Sequence, residues 1–175
     1  MARSALIAVF LAAGSVGTAD VRLEVPFVRQ EKRGCGAASA AMVAQYWSRQ
    51  YPALGITNAD PREACRELHS PETGGIRLSN MRRYLDDRGF HAFTLRASWA
   101  DLHYHLSRQR PLIVCLKKRS QAEMHYVVVV GIGATRVWLN DPAHRKPNAL
   151  DRSPFEQRWQ TADRWVLLAV PRQSR

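Results

Sequence analysis

The order of the helical and strand patterns along the sequence constrains the fold most strongly. An alanine-rich helix is predicted from Ala37 to Trp47. Further helices are predicted at 60–68 with Asp60 as its N-cap, at 79–87, and at 98–108 with Ser98 as its cap. Loose alternation over 22–28 suggests a short strand that ends at Pro26, and 90–95 is a second candidate strand. The C-terminal third instead carries short apolar segments that are typical of strands, such as 112–116 and 125–130. Helices that precede strands indicate an α+β fold, with an N-terminal helical part packed on a C-terminal antiparallel sheet.

Length and composition fit one globular domain. The 175 residues suffice for a single hydrophobic core, and 46% hydrophobic with 23% charged residues disfavours wholesale disorder. Three cysteines are too few for a small fold held by disulfides, and no apolar run is long enough to span a membrane. Cys65 and Cys115 are expected either to pair with each other or to remain free thiols.

The first nineteen residues have the three parts of a secretory signal. Arg3 supplies a positive charge, residues 5–13 are apolar, and the small residues at 17–19 form a candidate cleavage site. A buried N-terminal helix is the alternative. We therefore expect a signal peptide over 1–19, a mature domain over 20–175 and a periplasmic or extracellular location.

The charge balance favours anionic partners but not nucleic acid. The 26 Lys and Arg residues exceed the 15 Asp and Glu residues, which gives a formal net charge of +11. A basic exported protein is attracted to anionic envelope surfaces. The positive residues are scattered, however, and their densest groups, at 31–33, 82–83 and 117–119, contain no interleaved aromatic residues. A solvated basic face is the favoured interpretation, and no nucleic-acid partner is expected.

Cys35 is the candidate nucleophile. It lies between Gly34 and Gly36 at the predicted start of the alanine-rich helix, where free N–H groups and the helix dipole stabilise a thiolate. The two glycines are expected to let a substrate carbonyl approach the backbone closely. A cysteine at a helix start is by itself more often structural, so the hypothesis needs a proton partner elsewhere in the chain.

His125 is the candidate proton partner, and Asp141 is the residue expected to orient it. His125 precedes the apolar segment 126–130, and Asp141 ends the next strand segment. If these strands form an antiparallel hairpin, the start of the first lies beside the end of the second, so the imidazole and the carboxylate meet at one edge of the sheet. The alternative for Asp141 is a turn residue before Pro142.

An oxyanion that develops on the substrate needs hydrogen-bond donors, and two lie near the nucleophile. One is the backbone N–H of Cys35, and the other is the side-chain amide of Gln30, just upstream. Without the other residues, Gln30 would be interpreted as a surface polar side chain.

Other histidines and cysteines do not suggest a metal site. Cys65 precedes His69 by four residues, and His103 precedes His105 by two. A metal ion needs three or four convergent ligands, and helical spacing places His103 and His105 on different faces. No metal is expected.

These motifs together resemble those of the bacteriocin-processing, double-glycine type papain-like cysteine peptidases. The resemblance spans residues 25–142, most of the expected mature domain. It is carried by VPFVRQ at 25–30 and GCGAASAAM at 34–42, and then by the His and Asp motifs MHYVVVVG at 124–131 and VWLNDP at 137–142.

The resemblance implies a papain-like fold without a metal or cofactor, and hydrolysis of a peptide or protein substrate. Cleavage after small residues such as Gly-Gly is the specificity it suggests. It assigns four roles: nucleophile Cys35, base His125, orienting residue Asp141 and oxyanion donor Gln30. Two positions depart from the pattern of the family. Gln30 lies one residue closer to the cysteine than in transporter-linked members, and Gly34 stands where an Asp or Asn often precedes the cysteine.

Two alternative functions stay open. They are amidase or transpeptidase chemistry at the same site, or an inactive domain that binds peptides or envelope polymers.

Overall fold

A computed structural model of the chain describes residues 20–31, 33–55, 60–70, 75–117, 124–145 and 147–172. The expected signal peptide, 1–19, lies outside the described residues. The helices are α1 (Cys35–Gln50), α2 (Pro61–Leu68), α3 (Leu78–Asp87), α4 (Trp99–Leu106) and α5 (Arg152–Gln160), with a 3₁₀ turn at Pro52–Leu54. The strands are β1 (Val21–Arg22), β2 (His69–Ser70), β3 (Gly75–Ile76), β4 (Phe90–Arg96), β5 (Leu112–Lys117), β6 (Met124–Ile132), β7 (Arg136–Asn140), β8 (Asn148–Asp151) and β9 (Trp165–Pro171).

Seven of these strands form one antiparallel sheet. Six follow the order β4-β9-β5-β6-β7-β8, and β1 pairs with the C-terminal end of β6. The short strands β2 and β3 form a separate hairpin between α2 and α3. The predicted α+β fold with a helical part on an antiparallel sheet is confirmed. The two classes of element are less segregated along the chain than expected, because β2 and β3 lie between α2 and α3, and α5 precedes β9.

The hydrophobic core lies between α1 and the centre of the sheet. From Tyr126 onward every residue of β6 is buried, and since successive strand residues point to opposite faces, both faces of this strand are covered. Most of α1 is buried too, because its alanines let the helix backbone lie close to the sheet. The indole Nε1 of Trp47 donates to the carbonyl of Ala169 in β9 at 2.9 Å, which fixes α1 across the sheet.

Two helix starts have the capping residues expected from the sequence. Asp60 accepts a hydrogen bond from the backbone N–H of Arg62 at 2.9 Å, and Pro61 follows as the first residue of α2. Ser98 and Asp101 form a reciprocal capping box at the start of α4. These local signals explain why the predicted starts of α2 and α4 are correct.

The N-terminal segment departs from its predicted strand. A short strand that ends at Pro26 was expected within 22–28, but β1 ends at Arg22. Directly after it, the Leu23 N–H still donates to the Val130 carbonyl of β6 at 2.7 Å. Further along, the carbonyls of Val25 and Pro26 accept hydrogen bonds from the side chain of Asn140 instead of from a neighbouring strand. Residues 23–28 therefore run beside the sheet without joining it.

Candidate active site

Cys35 is the first residue of α1, and its side chain is half-buried. The backbone N–H groups of Tyr126 in β6 and Gly36 in α1 act on its sulfur and lower the pKa of the thiol. The first N–H groups of a helix have no partner within it, so the start of α1 offers donors and a positive dipole end to a thiolate. The expected placement of the cysteine at a helix start is therefore observed.

The two glycines beside Cys35 face protein rather than an open cleft. A Cβ atom on Gly36 would lie 2.9 Å from Cγ2 of Ile76 and 3.1 Å from Sδ of Met81. A Cβ atom on Gly34 would lie 3.2 Å from the carbonyl oxygen of Glu31. Both glycines are buried. The expectation that they make room for a substrate carbonyl is thus corrected: they let neighbouring loops pack closely against the segment that carries the cysteine.

His125 and Asp141 meet at one edge of the sheet. The predicted β6–β7 hairpin is confirmed, with Val128 opposite Asn140, so the start of β6 lies beside the end of β7. The Nε2 atom of His125 lies 2.6 Å from Oδ1 of Asp141. The Asp141 side chain is only 7% exposed, and Oδ1 also accepts the backbone N–H of Ala143 at 3.0 Å. The carboxylate is therefore held in a fixed orientation toward the imidazole.

The imidazole of His125 connects the carboxylate to the sulfur. Asp141 occupies Nε2, which leaves Nδ1 for the hydrogen bond that His125 shares with Cys35. Burial lowers the pKa of His125, but the bonds to Asp141 and Cys35 outweigh it and raise that pKa to about 9. Burial raises the pKa of Cys35, but the bonds from His125 and Tyr126 bring it below the ordinary thiol value. A thiolate–imidazolium pair is the state that these shifts favour.

The pKa of Asp141 is shifted in the direction that keeps it ionised. Burial raises this pKa, but the hydrogen bond from His125 and the positive charge of its ring lower it to below the usual aspartate value. An ionised carboxylate is required to stabilise the imidazolium. The imidazolium of His144, whose Nε2 lies 3.5 Å from Oδ2 of Asp141, would act in the same direction when protonated.

Gln30 lies at the same end of the sheet. Its backbone N–H donates to the carbonyl of Pro142 at 2.9 Å, which ties the segment upstream of Cys35 to the residue after Asp141. The Oε1 atom of Gln30 is buried and accepts no hydrogen bond from a described residue. The structure thus brings Gln30, Cys35, His125 and Asp141 into one region, while their catalytic roles stay predictions.

Asn140, to which no sequence pattern gave a role, lies beside this region. The side chain is 1% exposed, and Nδ2 donates to the carbonyl of Val25 at 3.0 Å. This bond holds the segment that leads to Gln30 against the end of β7. A polar residue that ends an apolar strand directly before Asp141 was the signal available in the sequence, but its partner lies 115 residues away.

All three cysteines are free thiols. Cys115 is buried in β5, and burial together with the nearby charge of Cys35 raises its pKa to about 12, so it stays neutral. Cys65 is half-buried, and burial followed by the charge of Glu31 raises its pKa. The alternative of a bond between Cys65 and Cys115 is therefore not realised. In the part of the chain that the structure describes, no three His, Cys, Asp or Glu side chains converge as metal ligands do.

Comparison with a family model identifies the group to which this site belongs. The model is that of the peptidase C39-like family, and it matches residues 22–165, which include every candidate residue. The chain belongs to the peptidase C39-like family. The predicted resemblance to the double-glycine type peptidases is thereby confirmed. No protein of curated function matches the chain.

Three solved structures that are similar to this C39-like protein share its fold. A C39-like peptidase structure from Bacillus anthracis is 21% identical with a TM-score of 0.67, and covers 89% of this chain and 100% of its own. The peptidase domain of Streptococcus ComA is 21% identical with a TM-score of 0.64, over 85% and 100% of the two chains. A double glycine motif protease from an AMS/PCAT transporter, solved with a leader peptide, is 22% identical with a TM-score of 0.59, over 86% and 94%. These similarities show a papain-like peptidase fold.

Proposed function

We propose that this C39-like protein is a cysteine peptidase that uses Cys35 as nucleophile, His125 as general base and acid, and Asp141 as the residue that orients and charges the imidazole. Its family and fold support a papain-like peptidase function. The observation that carries the finer assignment is the serial contact of sulfur, imidazole and carboxylate, with 2.6 Å between His125 and Asp141. Papain-like chemistry requires that sequence of contacts.

The reaction follows from the charge state of the pair. The Cys35 thiolate attacks the carbonyl carbon of the scissile peptide, forming a C–S bond and a tetrahedral oxyanion. The imidazolium of His125 gives its proton to the amine as the C–N bond breaks. Water then attacks the thioester, His125 takes a proton from that water, and the acid product leaves as the thiolate is restored. No metal or cofactor enters these steps.

Gln30 and the backbone N–H of Cys35 are the proposed oxyanion donors. Two observations support the proposal. The bond from Gln30 N–H to the Pro142 carbonyl fixes this residue beside the triad, and the N–H of Cys35 starts a helix and has no carbonyl partner within it. Donors placed where negative charge develops lower the barrier; removal of one costs about 10²–10³ in kcat in a well-studied protease.

The proposed substrate is a peptide or protein, with cleavage after small residues such as Gly-Gly as the leading specificity. One solved neighbour is a double glycine motif protease in complex with a leader peptide, and that neighbour supplies the motif to be tested here. We further propose that the mature domain, 20–175, acts after export and that its basic charge draws it to anionic envelope surfaces. None of the described helices is long and apolar enough to cross a membrane.

Peptide turnover by the cysteine variant and a surface control tests the function. Wild-type protein, Cys35→Ala and Ser107→Ala, which changes an exposed serine after α4, are incubated with peptides that contain or lack Gly-Gly, and products are read by mass spectrometry. We expect hydrolysis and a thioester adduct on Cys35 in wild type and Ser107→Ala, and neither in Cys35→Ala. Amide hydrolysis without peptide cleavage would instead indicate an amidase, and absence of any turnover would favour the inactive binding domain.

A further inference from the structure

A surface cavity of about 560 Å³, widely open to solvent, lies beside the segment that carries the nucleophile. It is lined by Glu31 and by four residues of α2 and β2: Arg62, Cys65, Arg66 and His69. None of these residues belongs to the proposed triad or to the oxyanion donors, so the cavity is a feature that the proposed chemistry leaves unexplained.

Two contacts place the cavity wall next to Cys35. A Cβ atom on Gly34, the residue before the nucleophile, would lie 3.5 Å from Sγ of Cys65. On the other side of the nucleophile, Gly36 packs against Ile76, and Ile76 pairs with the cavity residue His69 across the β2–β3 hairpin. A cavity residue thus packs against the residue before Cys35, and the hairpin that carries a second cavity residue packs against the residue after it.

The charges of α2 are divided between its faces. Arg62 and Cys65, like Arg66 and His69, are three residues apart, and Arg62 and Arg66, like Cys65 and His69, are four apart. These spacings place the four residues on one side of α2 and of the residue that follows it, and this side lines the cavity. The two acidic residues of α2 do not line the cavity: Glu63 lies in the first turn, and Glu67 pairs with Arg88, the residue after α3, at 2.8 Å.

The basic face is only partly neutralised. Glu31 pairs with Arg62 at 3.0 Å between its Oε1 and the guanidinium Nε. Arg66 is exposed and forms no ion pair with any residue in the described ranges. Two guanidinium groups thus face one carboxylate, which leaves the cavity with surplus positive charge and with unused planar donors that suit a carboxylate ligand.

We infer that this cavity is a substrate subsite that binds an acidic side chain close to the scissile bond, with Arg66 as the specificity-determining residue. The inference rests on the proposed function in taking peptides as substrates. Because Cys65 in the cavity wall packs against Gly34, and neighbouring Cα atoms of a peptide are about 3.8 Å apart, we place the acidic residue within about two or three positions of the cleaved bond. Small residues at the cleaved bond and an acidic residue beside it together define the substrate class.

Binding and turnover of one peptide set test the subsite. The peptides are hexapeptides with blocked termini and Gly-Gly or Ala-Ala at the two central positions. Each of the four outer positions carries Glu, Gln or Lys in turn. Affinity is measured with Cys35→Ala by fluorescence anisotropy, and kcat/KM is measured with the catalytic cysteine in place. Each is repeated with Arg66→Gln and Arg66→Glu. The matched control is Arg49→Gln, which removes an exposed arginine at the far end of α1, about 20 Å from Cys35.

At one outer position we expect Glu to be favoured over Gln by about three- to tenfold, the range for a charge-assisted contact at a partly exposed site. Arg66→Gln should abolish this preference, Arg66→Glu should shift it toward Lys, and Arg49→Gln should leave it unchanged. Equal treatment of Glu and Gln at all positions, or a preference that survives both Arg66 substitutions, would overturn the subsite.

The two proposals fail in different ways. Cleavage of these peptides without regard to charge would overturn the acidic subsite and leave the peptidase assignment standing. Conversely, an Arg66-dependent preference for Glu in binding, with no cleavage of any peptide, would support the subsite and contradict the peptidase assignment.

Discussion

At the scale of single residues, the sulfur of Cys35 is surrounded by hydrogen-bond donors from separate parts of the chain. The N–H of Gly36 comes from α1, the N–H of Tyr126 comes from β6, and the ring of His125 comes from the same strand. The nearby thiol of Cys115 has a pKa of about 12 and stays neutral, so it adds no competing negative charge. Of the three thiols, only that of Cys35 has donors that together outweigh burial, and its pKa is the one that is lowered.

Substitution of Asp141 tests how far the carboxylate sets the state of His125. Asp141→Asn keeps the size of the side chain but removes its negative charge. That charge and Cys35 raise the pKa of His125, whereas burial lowers it. We expect kcat/KM to fall by about 10²- to 10⁴-fold, as in other triads. The decline of activity at alkaline pH should also begin below about 9, since the pKa of His125 falls.

The control for that substitution is Asp151→Asn, which removes an exposed carboxylate paired with Arg136 at 3.2 Å. It should retain wild-type kcat/KM within about twofold, because exposed ion pairs contribute little. Equal activity of Asp141→Asn and Asp151→Asn would show that Asp141 is the turn residue of the alternative interpretation.

At the scale of elements, Asn140 at the end of β7 connects the sheet to the segment that precedes Cys35. Asn140→Ala removes the donor to the Val25 and Pro26 carbonyls and leaves buried acceptors unpaired, at a cost of about 1–3 kcal/mol in the free energy of unfolding. Because Gln30 lies further along this segment, we expect kcat to fall while KM changes little.

Urea unfolding and steady-state kinetics measure these two effects. The rate at which iodoacetamide alkylates Cys35 should stay near the wild-type value in Asn140→Ala, since the contact between His125 and Asp141 does not involve the amide. A large loss of alkylation rate would show that Asn140 supports the triad as a whole rather than the position of Gln30.

Packing between α1 and the β2–β3 hairpin depends on the absence of a side chain at Gly36. Gly36→Ala would place a Cβ 2.9 Å from Ile76, closer than such contacts occur, and overpacking of this kind costs about 1–3 kcal/mol. We expect a lower melting temperature and reduced turnover in calorimetry and peptide assays. Unchanged stability would mean that the hairpin moves freely away from α1.

Elements that are defined by interactions between residues close in sequence were predicted more accurately than the others. Asp60 and Ser98 form their capping bonds within three residues, so α2 and α4 were predicted with correct starts. Strand β8 and helix α5 were missed, because 148–160 is mostly polar and only Phe155 and Trp159 of α5 are buried. Such a pattern gives little periodic signal in the sequence.

At the scale of the whole molecule, the candidate site depends on contacts between distant parts of the chain. The meeting of His125 with Asp141 was predictable, because strand direction alone brings the two ends of a hairpin together. The role of Asn140 was not, since its partner Val25 is 115 residues away. The cavity lined by α2 likewise could not be predicted, because it forms where Cys65 of α2 lies beside Gly34, and no local sequence pattern indicates that packing.

The net charge of +11 predicts reversible attachment of the intact protein to anionic surfaces. In sedimentation with lipid vesicles, we expect binding to vesicles rich in anionic lipid at low salt, little binding to neutral vesicles, and release at about 1 M salt, where the Debye length is about 3 Å. Binding that does not respond to salt or to lipid charge would contradict an electrostatic attraction.

The alkylation rate of Cys35 as a function of pH tests the proposed triad most directly. Purified wild-type protein and His125→Ala are treated with iodoacetamide between pH 4 and pH 10, and modification of Cys35 is followed by mass spectrometry, with Cys65 as the internal reference. We predict that wild-type Cys35 reacts at pH values well below the ordinary thiol pKa of about 8.5. His125→Ala should lose this early reactivity. If Cys35 titrates like Cys65 in both proteins, the thiolate–imidazolium pair does not exist and the proposed peptidase mechanism is wrong.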